Sequence, residues 1–295
     1  MCLLPVVAQG QTYIRADIAR DSIYVDSVIE VTHRRLIRMI GFFPEDSLDV
    51  YIVNSKEQFD SLAGPYIPDW GAAVAIAHKN RIVIKSPRIL PGDKSLGELA
   101  AHEYTHIALA RKVGYRPIPR WFNEGMAQYL SAEWDWQDNV AMGTAILLGY
   151  TLDLSEMELL NSFTSGRAET AYAESYLAFR YFLENYGDSG VRIFLESCRR
   201  KNTFNQGMIL ATGAGYGTFE REFKIYLNGR YNLLAVIFNS NIIWLILALI
   251  IIIGFILTRI RRKSRMQELD EYDSLHSTDF DYGEVEKPDE DKPWD

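Results

Sequence analysis

His102 and His106 stand four residues apart in "AHEYTH", with Glu103 directly after the first of them. On an α-helix, positions four apart lie on one face, so both imidazoles can aim a nitrogen at one point. That is half of a metal site. A catalytic Zn²⁺ takes nitrogens at about 2.0–2.1 Å, a third protein ligand, and one position left open for water. Glu103 flanks such an ion and is placed to take a proton from that water, which is the His-Glu-x-x-His logic. The chain has only five histidines, so the spacing is uncommon. Short motifs also arise by chance, however, and the element that carries them must decide.

That element reads as a helix. Ser95-Leu96-Gly97-Glu98 has the pattern of a capping box, the apolar neighbours Leu99, Ala100, Ile107 and Leu109 follow, and Gly114 is a stop. A loop with Pro117 and Pro119 leads to a second predicted helix, "RWFNEGMAQYLSAEW". Glu124 on it is the candidate third ligand, with seventeen residues between it and His106. A loop and a helical turn can fold back over that distance. Glu133, farther along the same helix, is the alternative ligand.

His102-Glu103-x-x-His106 followed by Trp121-x-x-Glu124-Gly125-x-Ala127-x-Tyr129 resembles the gluzincin zinc metallopeptidases, the thermolysin-like clan, and most closely its small peptidase MA-like members. The resemblance covers roughly residues 45–230 in layout, with the specific motifs at 102–106 and 121–129. It implies an α+β zincin domain, with a small mixed sheet, the motif helix and a helical subdomain. It also implies one Zn²⁺ held by His102, His106 and Glu124, with Glu103 as general base in peptide-bond hydrolysis. In this clan a downstream Tyr or His steadies the oxyanion, and "ETAYAESYLAFRYF" offers Tyr172 and Tyr176, four apart on one face. An edge strand above the metal pairs with an extended peptide or protein substrate. The small residues of "WGAAVAIA" suit that role, which places Gly71, Ala72, Ala73 and Val74 along the cleft. His78 reads as a turn residue. The competing reading is a non-enzymatic membrane protein that keeps the fold as a binding scaffold. The complete set of Glu103 and both histidines argues against it.

The rest of the chain must position these groups. Val25, Val28, Ile29, Leu36, Ile37 and Ile40 predict an amphipathic helix over 22–40 that ends at Gly41. "LDVYIVN" predicts a strand, and Ser55 begins a helix after it. Ala72–Ala77 and Arg81–Lys85 predict a hairpin. Residues 135–170 read as an irregular insertion, followed by helices near 171–186, 188–199, 203–211 and 217–229.

Composition bounds the setting. With 295 residues, of which 48% are apolar, the chain can bury one substantial core. Its net charge of −8 belongs to the tail: residues 266–295 hold twelve Asp and Glu against two Lys, which leaves the remainder at +2. No basic domain points to nucleic acid as a partner. Cys2 and Cys198, the only cysteines, do not make a disulfide framework. Ala235–Thr258 contains no charged residue and predicts one transmembrane helix in a lipid bilayer. Five cations follow in "RIRRKSR", which predicts a cytoplasmic C-terminal side and a catalytic domain, residues 11–232, outside. Residues 1–10 read as a remnant of a signal peptide. Residues 259–295 read as a basic juxtamembrane segment and a disordered acidic tail, solvated from Ser264 onward.

Overall fold

The computed structural model describes residues 11–64, 71–89, 94–131, 151–158, 165–230 and 242–275. The chain divides into two units, Met1–Ser240 and Asn241–Asp295. The first unit holds strands β1 (Thr12–Arg15), β2 (Leu48–Val53), β3 (Ala73–Ile76) and β4 (Arg81–Lys85) in one sheet of order β1-β2-β4-β3. β1, β2 and β4 run parallel, and β3 returns antiparallel along β4 as an edge. Parallel neighbours need a crossover. Helix α1 (Ala19–Ile40) provides the one between β1 and β2, burying Val25, Ile29, Thr32, Leu36 and Ile40 at helical spacing. It ends at Gly41, whose φ of 74° is reached at little cost only without a Cβ.

The two faces of the sheet are covered separately. Helix α2 (Lys56–Ala63) is capped by the Ser55 hydroxyl, which accepts from the Gln58 N–H, and it buries Phe59 with Val53 and Val83 on one side. Helix α3 (Leu96–Lys112) lies on the other side, and Val50, Ile82 and Ile84 join its Ala100, Ile107 and Ala108 in the main core. The predicted capping box is formed: Ser95 Oγ accepts from the Glu98 N–H, and Glu98 Oε2 accepts from the Ser95 N–H at 2.6 Å. The predicted hairpin is β3 and β4, with His78 in the 3₁₀ turn Ala77–Lys79.

Helix α4 (Arg120–Ser131) and helix α5 (Ser165–Arg199) form the second layer, with α6 (Phe204–Thr212) and α7 (Tyr216–Arg230) behind them. α5 is broken at Gly187, with φ 62° and ψ −173°, so the two helices expected near 171–186 and 188–199 share one element. It also starts earlier than expected, at Ser165. Of the expected insertion, residues 135–150 and 159–164 lie outside the described residues, as does Glu133.

Glu174 on α5 is buried and accepts a 2.9 Å hydrogen bond from the Leu152 N–H. Burial pushes its carboxyl from the ordinary 4.5 up to about 8, against the Leu152 hydrogen bond and the Lys224 charge. A raised carboxyl favours the protonated fold. The stability it contributes is full below about pH 4.5 and is lost as pH rises through about 8, by at most about 5 kcal/mol. Glu174→Gln keeps the acceptor and removes the titration. Its melting temperature should stay flat between about pH 5 and 8 while that of the parent falls.

The second unit contains α8 (Ile242–Leu275). Trp244–Gln267 within it is the one helix among the described residues that is long and apolar enough to cross a membrane. α8 runs on to Leu275, so Ser264–Leu275, expected as part of a disordered tail, is helical. Composition accounts for it: "RMQELDEY" is free of Gly and Pro and rich in helix-forming residues. Residues 1–10 and 276–295 lie outside the described residues.

Candidate metal centre

α3 carries His102 and His106 on the face that meets α4, and both are largely buried. Glu124 enters from the first turns of α4 and is 4% exposed. Its Oε2 lies 3.4 Å from His102 Nε2 and 3.5 Å from His106 Nε2. The three ligand atoms fall within 4.8 Å of one another, a group able to hold a metal ion. A tetrahedral ion with bonds of about 2.0–2.1 Å sets its ligand atoms about 3.3–3.4 Å apart. The two carboxylate–imidazole separations match that edge, and two imidazoles with one carboxylate suit Zn²⁺.

Neighbouring side chains orient these donors. Asn123 Oδ1 accepts from His106 Nδ1 at 3.0 Å, which leaves the lone pair of Nε2 directed at the centre. Arg120 Nε lies 2.9 Å from Glu124 Oε1, so the two carboxylate oxygens are divided between a guanidinium and the imidazole pair. Burial alone would raise the Glu124 carboxyl. The His106 charge, the His102 and His106 hydrogen bonds and Arg120 outweigh it and hold the group well below the usual carboxylate range.

α4 is fixed by its own sequence. Trp121 is fully buried and stacks on Phe219 at 5.4 Å, and Phe122 meets Phe179 edge-on at 5.2 Å. Burying such side chains is worth about 1.5–3 kcal/mol each, so the two residues before Asn123 anchor the turn that presents Glu124. Gly125 permits the closest approach of α4 to α5. A Cβ there would sit 2.0 Å from the Ser175 carbonyl oxygen.

The centre opens into a cleft of about 490 Å³. Glu103, Tyr172, Gly71, Ala73 and Val74 line it together with the three candidate ligands. Ala72 turns its carbonyl to the Lys85 N–H at 2.9 Å, and Ala75 and Ala77 continue the lining. Tyr172 is hydrogen-bonded to Arg120; burial raises its phenol, with Glu124 and Glu103 adding to the rise and Arg120 opposing it. The hydroxyl therefore stays protonated, a donor. Tyr176 is outside the lining. It is 8% exposed, and its ring lies 6.3 Å from that of Tyr129.

Sequence reasoning missed Arg116, Arg120 and Asn123, all of which line the cleft. Arg120 and Glu124 are four apart at the start of a helix, a pairing signal present in the sequence. Asn123 carries no such signal, because its partner is seventeen residues away.

The sequence model of the peptidase MA superfamily matches residues 30–229. Those residues run from within α1 to the penultimate residue of α7 and include every group described at the centre. No curated protein matches the chain. A match over that much of the chain, on the domain that brings His102, His106 and Glu124 together, makes this chain a member of the peptidase MA superfamily.

Proposed function

We propose that the domain is a thermolysin-like zinc peptidase, tethered to a membrane by α8, with its catalytic unit on the extracytoplasmic side. The observation that carries this reading is the convergence of His102, His106 and Glu124 at the floor of a cleft that Glu103 also lines. Zn²⁺ at this position would supply Lewis acidity and lower the pKa of a water from about 15.7 towards 7. Glu103 accepts a proton from the attacking water on a carboxylate oxygen and returns a proton to the leaving amine. Tyr172 is the donor to the developing oxyanion that we favour over Tyr176, because it lines the cleft and keeps its proton. Arg120 keeps the Tyr172 hydroxyl and the Glu124 carboxylate in register. The outer edge of β3 offers backbone groups to an extended substrate, and Gly71, Ala72, Ala73 and Val74 let it approach closely. The cations at 259–265 support a cytoplasmic C-terminal side.

The full chain purified in detergent should carry about one zinc ion and hydrolyse members of a mixed peptide library. A chelator should abolish hydrolysis, added zinc should restore it, and His102→Ala should lose most of the metal. Hydrolysis that persists after the metal is stripped would overturn the reading.

A further inference from the structure

Before the apolar span, the longest run without Asp, Glu, Lys or Arg is 202–219, eighteen residues between Lys201 and Glu220. It contains helix α6 and the turn into α7. A surface helix ordinarily turns charged and polar residues to water. α6 has polar Asn205 and Gln206 in its first turn and nothing charged. Its inner side is closed, with Gly207 and Met208 buried and Gly207 against the Phe194 ring of α5. Its outer side carries Ile209 and Leu210, 47% and 59% exposed. Single exposed aliphatics are ordinary, but an adjacent pair on an uncharged helix makes a patch.

The backbone around this patch is paired within itself. Thr203 Oγ1 accepts from the Gln206 N–H, and Gln206 Oε1 accepts from the Thr203 N–H, a capping box. Past the helix, the Gly213 N–H bonds the Ile209 carbonyl at 2.9 Å and the Ala214 N–H bonds Thr212 Oγ1 at 3.0 Å. The Tyr216 N–H bonds Asn205 Oδ1 at 2.8 Å. Unpaired backbone groups keep an element out of an apolar medium, and these N–H groups are already satisfied.

Charge and tether length choose lipid as the occupant. Residues 196–230 hold six Lys and Arg against three Glu, or +3, and Lys201 is exposed directly before the uncharged run. Cations at a membrane surface are attracted to anionic headgroups. From Arg230, the end of α7, to Ile242, the start of α8, the chain advances twelve residues, which span at most about 40–43 Å. α7 has fifteen residues, so its ends are about 22 Å apart, less than that reach, and the α6–α7 turn can meet the bilayer surface. A short link makes such contact intramolecular, at an effective concentration on the order of millimolar, so a small apolar contact suffices.

We propose that α6 docks through Ile209 and Leu210 into the interface of the bilayer that anchors α8. α6 packs on the second half of α5, whose first half presents Tyr172 to the cleft, so the docked helix also sets how the cleft faces the membrane. This inference rests on the membrane reading of α8 and not on the peptidase chemistry.

The test uses the full chain reconstituted into vesicles of phosphatidylcholine, alone or mixed with phosphatidylglycerol. A nitrobenzoxadiazole probe is attached at Leu210→Cys in a Cys2→Ser background, where the remaining thiol, Cys198, is buried. The same probe at Glu57→Cys, an exposed position on α2, is the control. Emission from position 210 should shift to the blue and be quenched by spin-labelled lipid, whereas position 57 should show neither. Phosphatidylglycerol should strengthen the effect. Ile209→Glu should reduce the ratio of docked to free domain by about tenfold or more, and Ile209→Gln by less. Both change an exposed position, so melting should be unaltered. Equal quenching at 210 and 57, or quenching at 210 that Ile209→Glu leaves unmoved, overturns the docking and leaves α8 as a plain tether. A blue-shifted probe that spin-labelled lipid does not reach means that a second copy covers the face, which also overturns it. Extraction of the chain from the vesicles by alkaline carbonate overturns the membrane reading of α8 instead, and the docking with it.

Discussion

Glu103→Gln should retain its metal and lose about 10²–10⁴-fold in kcat, the span of a positioned general acid–base group. Glu103 follows His102 on α3, is 9% exposed and lines the cleft. Glutamine fills the same volume, so packing against α4 survives and the candidate ligands His102, His106 and Glu124 are untouched. What disappears is an oxygen able to accept a proton. The loss corresponds to about 3–5 kcal/mol of barrier at 1.36 kcal/mol per decade. Two measurements on one preparation check it, metal content per chain and single-turnover hydrolysis. A variant with parental kcat would remove Glu103 from the mechanism. One that also lost its metal would show that Glu103 acts in holding the ion.

The second large effect concerns a residue that touches no substrate. Gly125→Ala places a Cβ 2.0 Å from the Ser175 carbonyl oxygen and 2.7 Å from Phe179 Cβ. The first obstacle is backbone and cannot rotate away, so α4 must withdraw from α5. Alanine's helix preference returns about 1 kcal/mol, whereas overpacking costs about 1–3 kcal/mol and occasionally more. A clash this short belongs at the upper end, so a net loss of about 2 kcal/mol is expected. At about 2–4 °C per kcal/mol for a domain of this size, the melting temperature should drop by about 4–8 °C. Glu124 precedes Gly125 and would move with it, so metal affinity should fall in the same variant. Unchanged melting with weakened metal binding would mean that the helices yield without cost and only the ligand is displaced.

What could be read from the sequence was local. The helix carrying His102 and His106 announces itself through Ser95 and Glu98, because a capping box is closed within four residues. The hairpin before it is legible for the same reason. β1 was not: Thr12–Arg15 has four residues, only half-shielded, and becomes a strand by pairing with Leu48–Tyr51. Nothing within those four residues encodes a partner thirty-six positions away. The parallel order β1-β2-β4 is hidden in the same way. Glu124 was legible as a ligand candidate because its helix follows the motif closely. The reason that glycine follows it was not, since the atom that excludes a side chain there, the Ser175 oxygen, belongs to another helix. Tyr172 and Tyr176 were indistinguishable on one helical face. Only the position of α5 separates the tyrosine in the cleft from the one packed near Tyr129.

The alanine row of β3 has a consequence for what the proposed reaction reaches. A wall of glycine, alanine and one valine ranks side chains weakly, but a strand edge ranks backbones sharply. A segment wound into a helix or already paired in a sheet has its N–H and C=O groups committed and gains nothing by lying there, whereas a loose segment gains a ladder. On the proposed reading β3 would work as a gauge of chain freedom. Targets would be ordered by how often a stretch of a few residues comes undone in the parent protein, a property of local unfolding equilibria.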